Sequence, residues 1–195
     1  MSQADRRKWN ARYARGAYEA RTHPNALLRR WLPSLPVGRA LDIACGAGRN
    51  SLFLAAAGFQ VDALDISTQA LARAATFADA RGLKVNWIEH DLDAGLPDSG
   101  CYDLIVLFRY VNARVLGILK ERLLPGGYLL VEEHLVTDAK VVGPRGSRFR
   151  VEPGALVAAA GDLQICFCDE SVVADPDGRQ VALAQLVARK ATPIC

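Results

Sequence analysis

Leu41-Asp42-Ile43-Ala44-Cys45-Gly46-Ala47-Gly48-Arg49-Asn50 decides the fold. An apolar, strand-like run from Gly38 to Ile43 ends, a loop with two glycines follows, and a helical pattern opens at Asn50 and closes at Ala57-Gly58. Gly46 and Gly48 let the chain turn tightly and approach a ligand with no Cβ in the way. The helix N-terminus beyond them offers unpaired N–H groups and a positive dipole end, suited to a carboxylate or phosphate. A Gly-x-Gly pair alone is a weak signal, so its weight depends on what surrounds it.

Downstream, the pattern alternates. Phe59 to Leu64 reads as a second strand ending at Asp65. Ser67 caps a helix that runs to Arg81 and stops at Gly82. Val85 to Ile88 is a third strand. Tyr102 to Phe108 is a fourth, nearly continuous in apolar residues as a strand covered on both faces requires. Val111 to Leu124 is helical, Pro125-Gly126-Gly127 breaks it, and a fifth strand starts over Tyr128 to Val131. Further on, Leu163 to Asp169 and Val181 to Arg189 read as strands joined through the turn Asp175-Pro176-Asp177-Gly178, an antiparallel hairpin. The expected fold is α/β: a doubly wound, mostly parallel seven-stranded sheet with a C-terminal antiparallel hairpin. Ligands of such sheets bind outside the carboxyl ends of the strands, where the winding reverses.

The 195 residues suit one domain. Its expected parts are a helical cap over 1–37, a cofactor-binding core over 38–134, and a substrate-side loop and terminal hairpin over 135–195. Hydrophobic residues make up 51% and charged residues 23%, which excludes a disordered chain. The net charge of +3 and the absence of a lysine-rich run argue against a nucleic-acid partner. Arg6, Arg7, Arg12, Arg15, Arg21, Arg29 and Arg30 crowd the start of the chain. They either steer an anionic substrate or form a solvated helix face. The polar N-terminus and the lack of an apolar run near the ~20 residues of a bilayer span point away from secretion and membranes. Five cysteines without framework spacing fit a reducing, cytoplasmic setting. Cys166 and Cys168 share one face of a strand and read as buried free thiols, with no metal expected.

Asp42, Asp65 and Asp91 carry the chemistry. Each stands at or just after the end of a successive strand, so all three meet along one edge of the sheet. Asp65, about 20 residues beyond the first loop, is where an acid accepts bonds from ribose hydroxyls. A nicotinamide dinucleotide is the obvious rival. It favours Gly-x-Gly-x-x-Gly, but the third position here is Ser51. Asp42 would also repel a pyrophosphate, whereas it suits a cationic amino-acid ligand.

At this point a family likeness becomes visible. Ala40 to Asn50 resembles the first motif of class I S-adenosylmethionine-dependent methyltransferases. It looks like the tellurite-resistance and thiopurine methyltransferase-like branch, whose members often continue with Arg-Asn. Val61 to Ser67 resembles the second motif, Asp91-Leu92 the third, Tyr102 to Val106 the fourth and Leu124 to Glu132 the fifth. Lys8-Trp9-Asn10-Ala11-Arg12-Tyr13 and Phe149-Arg150-Val151-Glu152-Pro153-Gly154 are similar to further segments of that branch. Single motifs are weak, but their order and spacing together are strong.

The likeness implies S-adenosylmethionine as cofactor and a role for each matching position. Asp42 and the loop Ala44, Cys45, Gly46, Ala47, Gly48, Arg49 and Asn50 would hold the methionine end. Asp65 would take the ribose hydroxyls, with Ile66 against the adenine. Asp91 would accept from the adenine amino group, beside the Leu92 backbone. Arg109, after the fourth strand, would face the methyl group, and His134 is a candidate base. Tyr13, Tyr18, Tyr110, Arg145 and Arg148 are candidates on the acceptor side. The alternatives are a helix cap or turn for Asp42 and Asp65, a turn for Asp91, and a structural ion pair for Arg109. Two departures stand out. Ala44 and Ala47 occupy positions where many members have a glycine or second acid. Phe108-Arg109-Tyr110 also replaces the Asn-Pro-Pro-Tyr of many amino-methylating enzymes. The expected reaction is methylation of a small molecule, with a soft thiol, metalloid or xenobiotic nucleophile favoured by the likeness alone. A protein or nucleic-acid methyltransferase and a non-catalytic cofactor binder remain as alternatives. Thr137 to Arg148, with Gly143, Pro144 and Gly146, reads as a mobile loop that closes over the acceptor.

Overall fold

The computed structural model describes residues 3–98, 100–175 and 177–192. Two helices, α1 (Gln3–Ala14) and α2 (Ala26–Trp31), precede the first strand, β1 (Arg39–Ile43). Then follow α3 (Arg49–Ala56), β2 (Gln60–Asp65), α4 (Thr68–Asp79), β3 (Asn86–Glu89) and β4 (Tyr102–Phe108). The chain continues through α5 (Ala113–Leu119), β5 (Leu123–His134), α6 (Ala155–Ala160), β6 (Gln164–Ala174) and β7 (Gln180–Arg189). The seven strands form one sheet in the order β3-β2-β1-β4-β5-β7-β6. All pairs are parallel except those made by β7.

The near-continuous apolar strands have both faces covered. On one face Leu41, Ile43, Ile105, Leu107, Leu129, Val131 and Leu186 pack with Val115 and Leu119 of α5 and Leu156 of α6. On the other, Ala40, Ala63, Leu104, Val106, Leu130 and Val187 pack with Leu27 and Leu28 of α2, Leu54 of α3 and Leu71 of α4. Winding reverses between β1 and β4, so their carboxyl ends part there and leave the crevice such folds use for ligands.

Four local departures from the sequence expectation have physical causes. First, α5 is shorter than Val111 to Leu124. Asn112 caps it through Val115 N–H, a 3-10 turn covers Lys120–Arg122, and Leu123 already pairs with Tyr102. The Pro-Gly-Gly therefore lies inside β5, at a register shift where a Cβ on Gly127 would stand 2.9 Å from the Leu124 carbonyl oxygen. Second, α6 forms where no helix is expected, bounded by Gly154 at φ +78° and Gly161 at φ +61°.

Third, β6 continues past Asp169 to Ala174. Fourth, Cys166 and Cys168 are exposed rather than buried. β6 is the terminal strand of the sheet, and its register shifts between Ile165 and Phe167. In the hairpin turn, Gly178 N–H donates to the Asp175 carbonyl oxygen at 2.7 Å, while Pro176 lies outside the described residues. Among the described residues no helix is long and apolar enough to cross a membrane.

Candidate functional site

The loop after β1 is held in left-handed backbone at alternate positions: Ala44 at φ +54°, Gly46 at φ +57° and Gly48 at φ +77°. Glycine takes this freely, and alanine pays on the order of 1 kcal/mol for it. Gly48 cannot carry a side chain. A Cβ there would lie 2.6 Å from the Trp87 ring and 2.8 Å from Ala74 Cβ, so the loop packs tightly on β3 and α4. Cys45 N–H donates to the Leu64 carbonyl oxygen at 2.9 Å, keying the loop to β2.

Two buried acids flank the loop. Asp42 is 1% exposed and accepts from Ser51 Oγ at 2.5 Å. Burial raises its pKa to about 7, against the opposing pull of Ser51 and Arg49. It is therefore poised between neutral and charged at neutral pH, a state that a nearby cation would tip toward the carboxylate. Asp65 accepts Gly46 N–H through Oδ2 and Ser67 N–H through Oδ1, each at 2.8 Å. Burial again pushes its pKa up, with those backbone donors opposing. Each ionised carboxylate oxygen has a second lone pair, so both acids can still accept from a ligand. The Asp65 carbonyl oxygen takes His90 N–H at 3.0 Å and thereby ties in the end of β3. There Asp91 caps the 3-10 turn Leu92–Ala94, accepting Asp93 N–H at 3.0 Å. Leu92 and Ile66 are buried.

The N-terminal cap is docked over this rim. Asn10 Oδ1 accepts from Ser67 Oγ at 2.8 Å and from Gln69 N–H at 3.3 Å. Arg73 of α4 donates to the carbonyl oxygens of Ala17 and Tyr13. These bonds press Tyr13 onto the loop, so that a Cβ on Gly46 would stand 2.5 Å from the Tyr13 hydroxyl. Tyr13 thus lies over the loop after β1. Burial and the charge of Asp65 hold its hydroxyl protonated. Tyr18 lies beside it, centroids 5.9 Å apart, exposed and accepting from Arg12 at 3.1 Å.

A second cluster gathers at the ends of β4, β5 and β7. Arg109, itself at φ +60°, donates from Nε to Glu132 Oε1 at 2.7 Å and from another guanidinium nitrogen to Asp175 Oδ1 at 3.1 Å. Glu132 is 1% exposed, and both its oxygens accept hydrogen bonds. Its Oε1 also accepts Asn25 Nδ2 at 2.8 Å, and Oε2 accepts Gln185 Nε2 at 2.6 Å. Asn25 in turn caps α2 and donates its N–H to Asn50 Oδ1 at 2.8 Å. So Asn50 serves as a joint between the cap and α3. Glu133, next in sequence, faces the other side of the sheet and accepts Tyr110 N–H at 3.1 Å. Its Oε2 is buried without a partner among the described residues, and burial raises its pKa well above the usual value.

His134 does not have the free lone pair that a base needs. A guanidinium only donates, so the 3.3 Å contact from Arg109 takes the lone pair of Nε2. The neutral ring then carries its proton on Nδ1, which is buried without an acceptor among the described residues. Burial, Arg109 and Arg150 lower the His134 pKa to about 4. Arg109 itself is the wall of this cluster, held by two carboxylates.

Tyr110 is half-buried, and its hydroxyl accepts from Asn112 at 3.2 Å. Burial raises its pKa, with the charges of Asp91 and Asp65 adding to the effect. Arg145 and Arg148 do not join the site. Both are exposed, and Arg148 stacks on Phe149. The arginine of that loop that turns inward is Arg150, which donates to the Leu135 carbonyl oxygen at 2.7 Å and the Pro144 carbonyl oxygen at 3.0 Å. The expected mobile loop is anchored by these bonds and by Val142 N–H on the Gln180 carbonyl oxygen at 2.9 Å.

Sequence reasoning missed Asn25, Glu132, Asp175 and Gln185 as site residues. Asp175 had only its turn signal, Glu132 only its place at the end of the fifth motif, and Asn25 and Gln185 had none. A cavity of about 720 Å³ lies at the opposite rim, lined by Phe59, Val61, Ala78, Leu83 and Trp87 at the amino ends of β2 and β3. Arg39, Asp62, Asp79 and Lys84 also line it, and neither Asp42 nor Asp65 does. A smaller cleft of about 40 Å³ opens at the carboxyl rim among Asn25, Arg49, Arg109, Glu132, Asp175 and Gln185. Among the described residues no group of His, Cys, Asp and Glu could hold a metal ion.

Comparison with known proteins agrees with this geometry. Residues 40–127 match the family model described as "Methyltransferase domain". The chain is similar to a demethylmenaquinone methyltransferase of Thermus thermophilus, 39% identical over 102 residues, which are 49% of this chain and 46% of that protein. It is also similar to a probable S-adenosyl-L-methionine-dependent methyltransferase, TehB, of Haemophilus influenzae. That match is 32% identical over 107 residues, 51% of this chain and 37% of the relative. The chain spans less than half the length of the curated relatives it matches. The crystal structure of TehB from Haemophilus influenzae superposes with a TM-score of 0.74 at 24% identity, covering 85% of this chain and 62% of that one. That likeness is one of fold.

Proposed function

We propose, from the premise that residues 40–127 form a class I S-adenosylmethionine-dependent methyltransferase domain related to TehB, that this chain methylates a small-molecule acceptor at the carboxyl rim of its sheet. The observation that carries the reading is the pair of buried acids, Asp42 and Asp65, on either side of the left-handed loop. A dinucleotide would bring a pyrophosphate toward them. A donor with an ammonium and a sulfonium brings the opposite charge, so the residues present fit S-adenosylmethionine.

In this reading Asp65 accepts from the ribose hydroxyls through its remaining lone pairs, and Asp91 and Ile66 bound the adenine. Asp42 and the loop amides take the methionyl end. When bound, the donor supplies a methyl group already activated on sulfur. The chain then has only to align the acceptor and exclude water. Tyr13 and the docked cap close the donor side.

The acceptor reading rests on what the mouth lacks. His134 has its Nε2 lone pair occupied, and Arg109 is engaged by Glu132 and Asp175. An acceptor that must lose a proton early would find no side-chain base in this pair. A thiol, selenide or other soft nucleophile needs none, which supports that class of acceptor over an alcohol. The location read from composition is the cytoplasm.

Two measurements test the function. Titration calorimetry with S-adenosylmethionine should give binding that Asp65→Ala weakens by about 2–3 kcal/mol, the loss of a charge-assisted pair of bonds. Unchanged affinity in the variant would remove the ribose contact. Release of S-adenosylhomocysteine should be followed over small thiols, selenite, tellurite and heterocycles. Turnover on a soft nucleophile supports the reading, whereas donor binding without turnover on any of them favours a non-catalytic binder.

A further inference from the structure

The cavity of about 720 Å³ at the amino rim has an apolar floor of Phe59, Val61, Ala75, Ala78, Leu83 and Trp87. Helix α4 faces it with two alanines, Ala75 and Ala78, whose methyl groups leave the space unfilled. Its aromatic wall, Trp87, is braced from behind. A Cβ on Gly48 would stand 2.6 Å from Cη2 and 3.0 Å from Cζ3 of that ring, so the benzo edge of the indole abuts the loop after β1. The wall is therefore preorganised, which lowers the ordering cost of packing a ligand against it.

The charged groups around the opening divide into two sets. Asp62 accepts from Arg39 and from the Tyr102 hydroxyl at 2.9 Å each, and from Asn86 Nδ2 at 2.8 Å, so these groups satisfy one another. Asp79, the last residue of α4, and Lys84, in the turn before β3, also line the cavity and are exposed. Among the described residues neither makes an ion pair or a side-chain hydrogen bond. One free acid and one free cation thus stand at the mouth of an apolar space with an aromatic wall. The volume falls within the roughly 300–1,000 Å³ of small-molecule sites, and apolar and aromatic walls with a few polar groups are the usual lining of such sites. A ligand with a single charge would match one rim group and leave the other bare. A zwitterion matches both, and a flat ring packs on the indole.

We propose that this cavity binds an aromatic α-amino acid, with its ring against Trp87, its ammonium at Asp79 and its carboxylate at Lys84. A bicyclic ring of indole size suits the volume, because sites of this kind bury most of a ligand's surface. The site lies at the other end of the strands from the carboxyl rim, and it stands independently of the donor and acceptor readings above.

The test is titration calorimetry of the full chain with L-tryptophan, with tryptamine, which lacks the carboxylate, and with indole-3-propionate, which lacks the ammonium. Wild type should bind L-tryptophan about threefold more tightly than either analogue, the yield of one exposed ion pair in each case. Lys84→Gln should lower L-tryptophan to the level of tryptamine and leave tryptamine unchanged. Asp79→Asn should lower it to the level of indole-3-propionate and leave that analogue unchanged. Ala75→Leu, which fills the floor, should weaken all three by more than about tenfold, with circular dichroism to verify the fold. Equal affinity of wild type for the three ligands, binding of none of them, or binding that survives Ala75→Leu in a folded protein overturns the proposal. Should Ala75→Leu unfold, the two exposed rim positions decide alone, and an L-tryptophan affinity that neither substitution lowers overturns it.

Discussion

The two halves of the carboxyl rim are built on different principles. The half proposed for the donor, around Asp42, the Cys45 to Gly48 loop and Asp65, comes from a short stretch of chain and relies on backbone: left-handed turns, loop amides and a glycine that lets Trp87 approach. The half proposed for the acceptor draws Asn25, Arg109, Glu132, Asp175 and Gln185 from five separate segments and relies on side chains that satisfy one another. A local backbone device tolerates change around it, whereas a buried charge network fails when one member is lost. The two halves meet at Arg49 and at Asn50, whose side chain joins α3 to the cap through Asn25.

The difference is sharpest at Glu132. Glu132→Ala leaves Arg109 buried with one of its two carboxylate partners gone and removes the acceptor of the Asn25 and Gln185 side-chain amides. It should lower stability by about 3–5 kcal/mol, read from urea unfolding. Donor affinity measured well below the unfolding midpoint should change far less. If donor affinity collapses in step, the two halves are a single unit and the contrast is wrong.

Glu133 gives a smaller effect with a definite sign. Its carboxyl titrates well above the ordinary 4.5 because burial disfavours the charge. As pH rises past that ordinary value the unfolded chain ionises first, so the fold loses stability by up to about 1.4 kcal/mol per pH unit. Glu133→Gln removes the slope, and the variant should gain on wild type between about pH 5 and 8. Parallel stability curves for the two proteins over that range would show that the carboxyl is not neutral in the fold.

The smallest effect belongs to His134. With its pKa lowered to about 4, the ring is neutral throughout the physiological range. His134→Gln should change turnover by less than about threefold and leave the pH profile between about 5 and 8 without a lost inflection. An inflection near 6–7 that vanishes in the variant would restore His134 as a base and move it out of the structural network.

Much of the molecule was legible beforehand because its signals are short-range. Strand, loop and helix around Leu41 to Asn50 are fixed by apolar runs and glycines. Asp65 and Asp91 follow strands whose ends must line up in a parallel sheet. The errors arose where pairing competes with local preference. Pro125-Gly126-Gly127 looks like a break, yet it lies within β5 because Leu123 finds a partner in Tyr102. Cys166 and Cys168 look like core, yet they are exposed because β6 ends the sheet. Arg145 and Arg148 look as eligible as Arg150, and only the folded loop selects which one turns inward.

Sequence by itself determined the α/β alternation, the glycine loop and the three acids at strand ends, since each depends on neighbours within a few residues. Tertiary structure alone decided that both oxygens of Glu132 are bonded while one of Glu133 has no partner among the described residues, that Asp175 reaches Arg109, and that Arg49 donates to the His23 carbonyl oxygen. Those outcomes depend on which groups share a dry volume, and electrostatic cost in such a volume is set by partners far away along the chain.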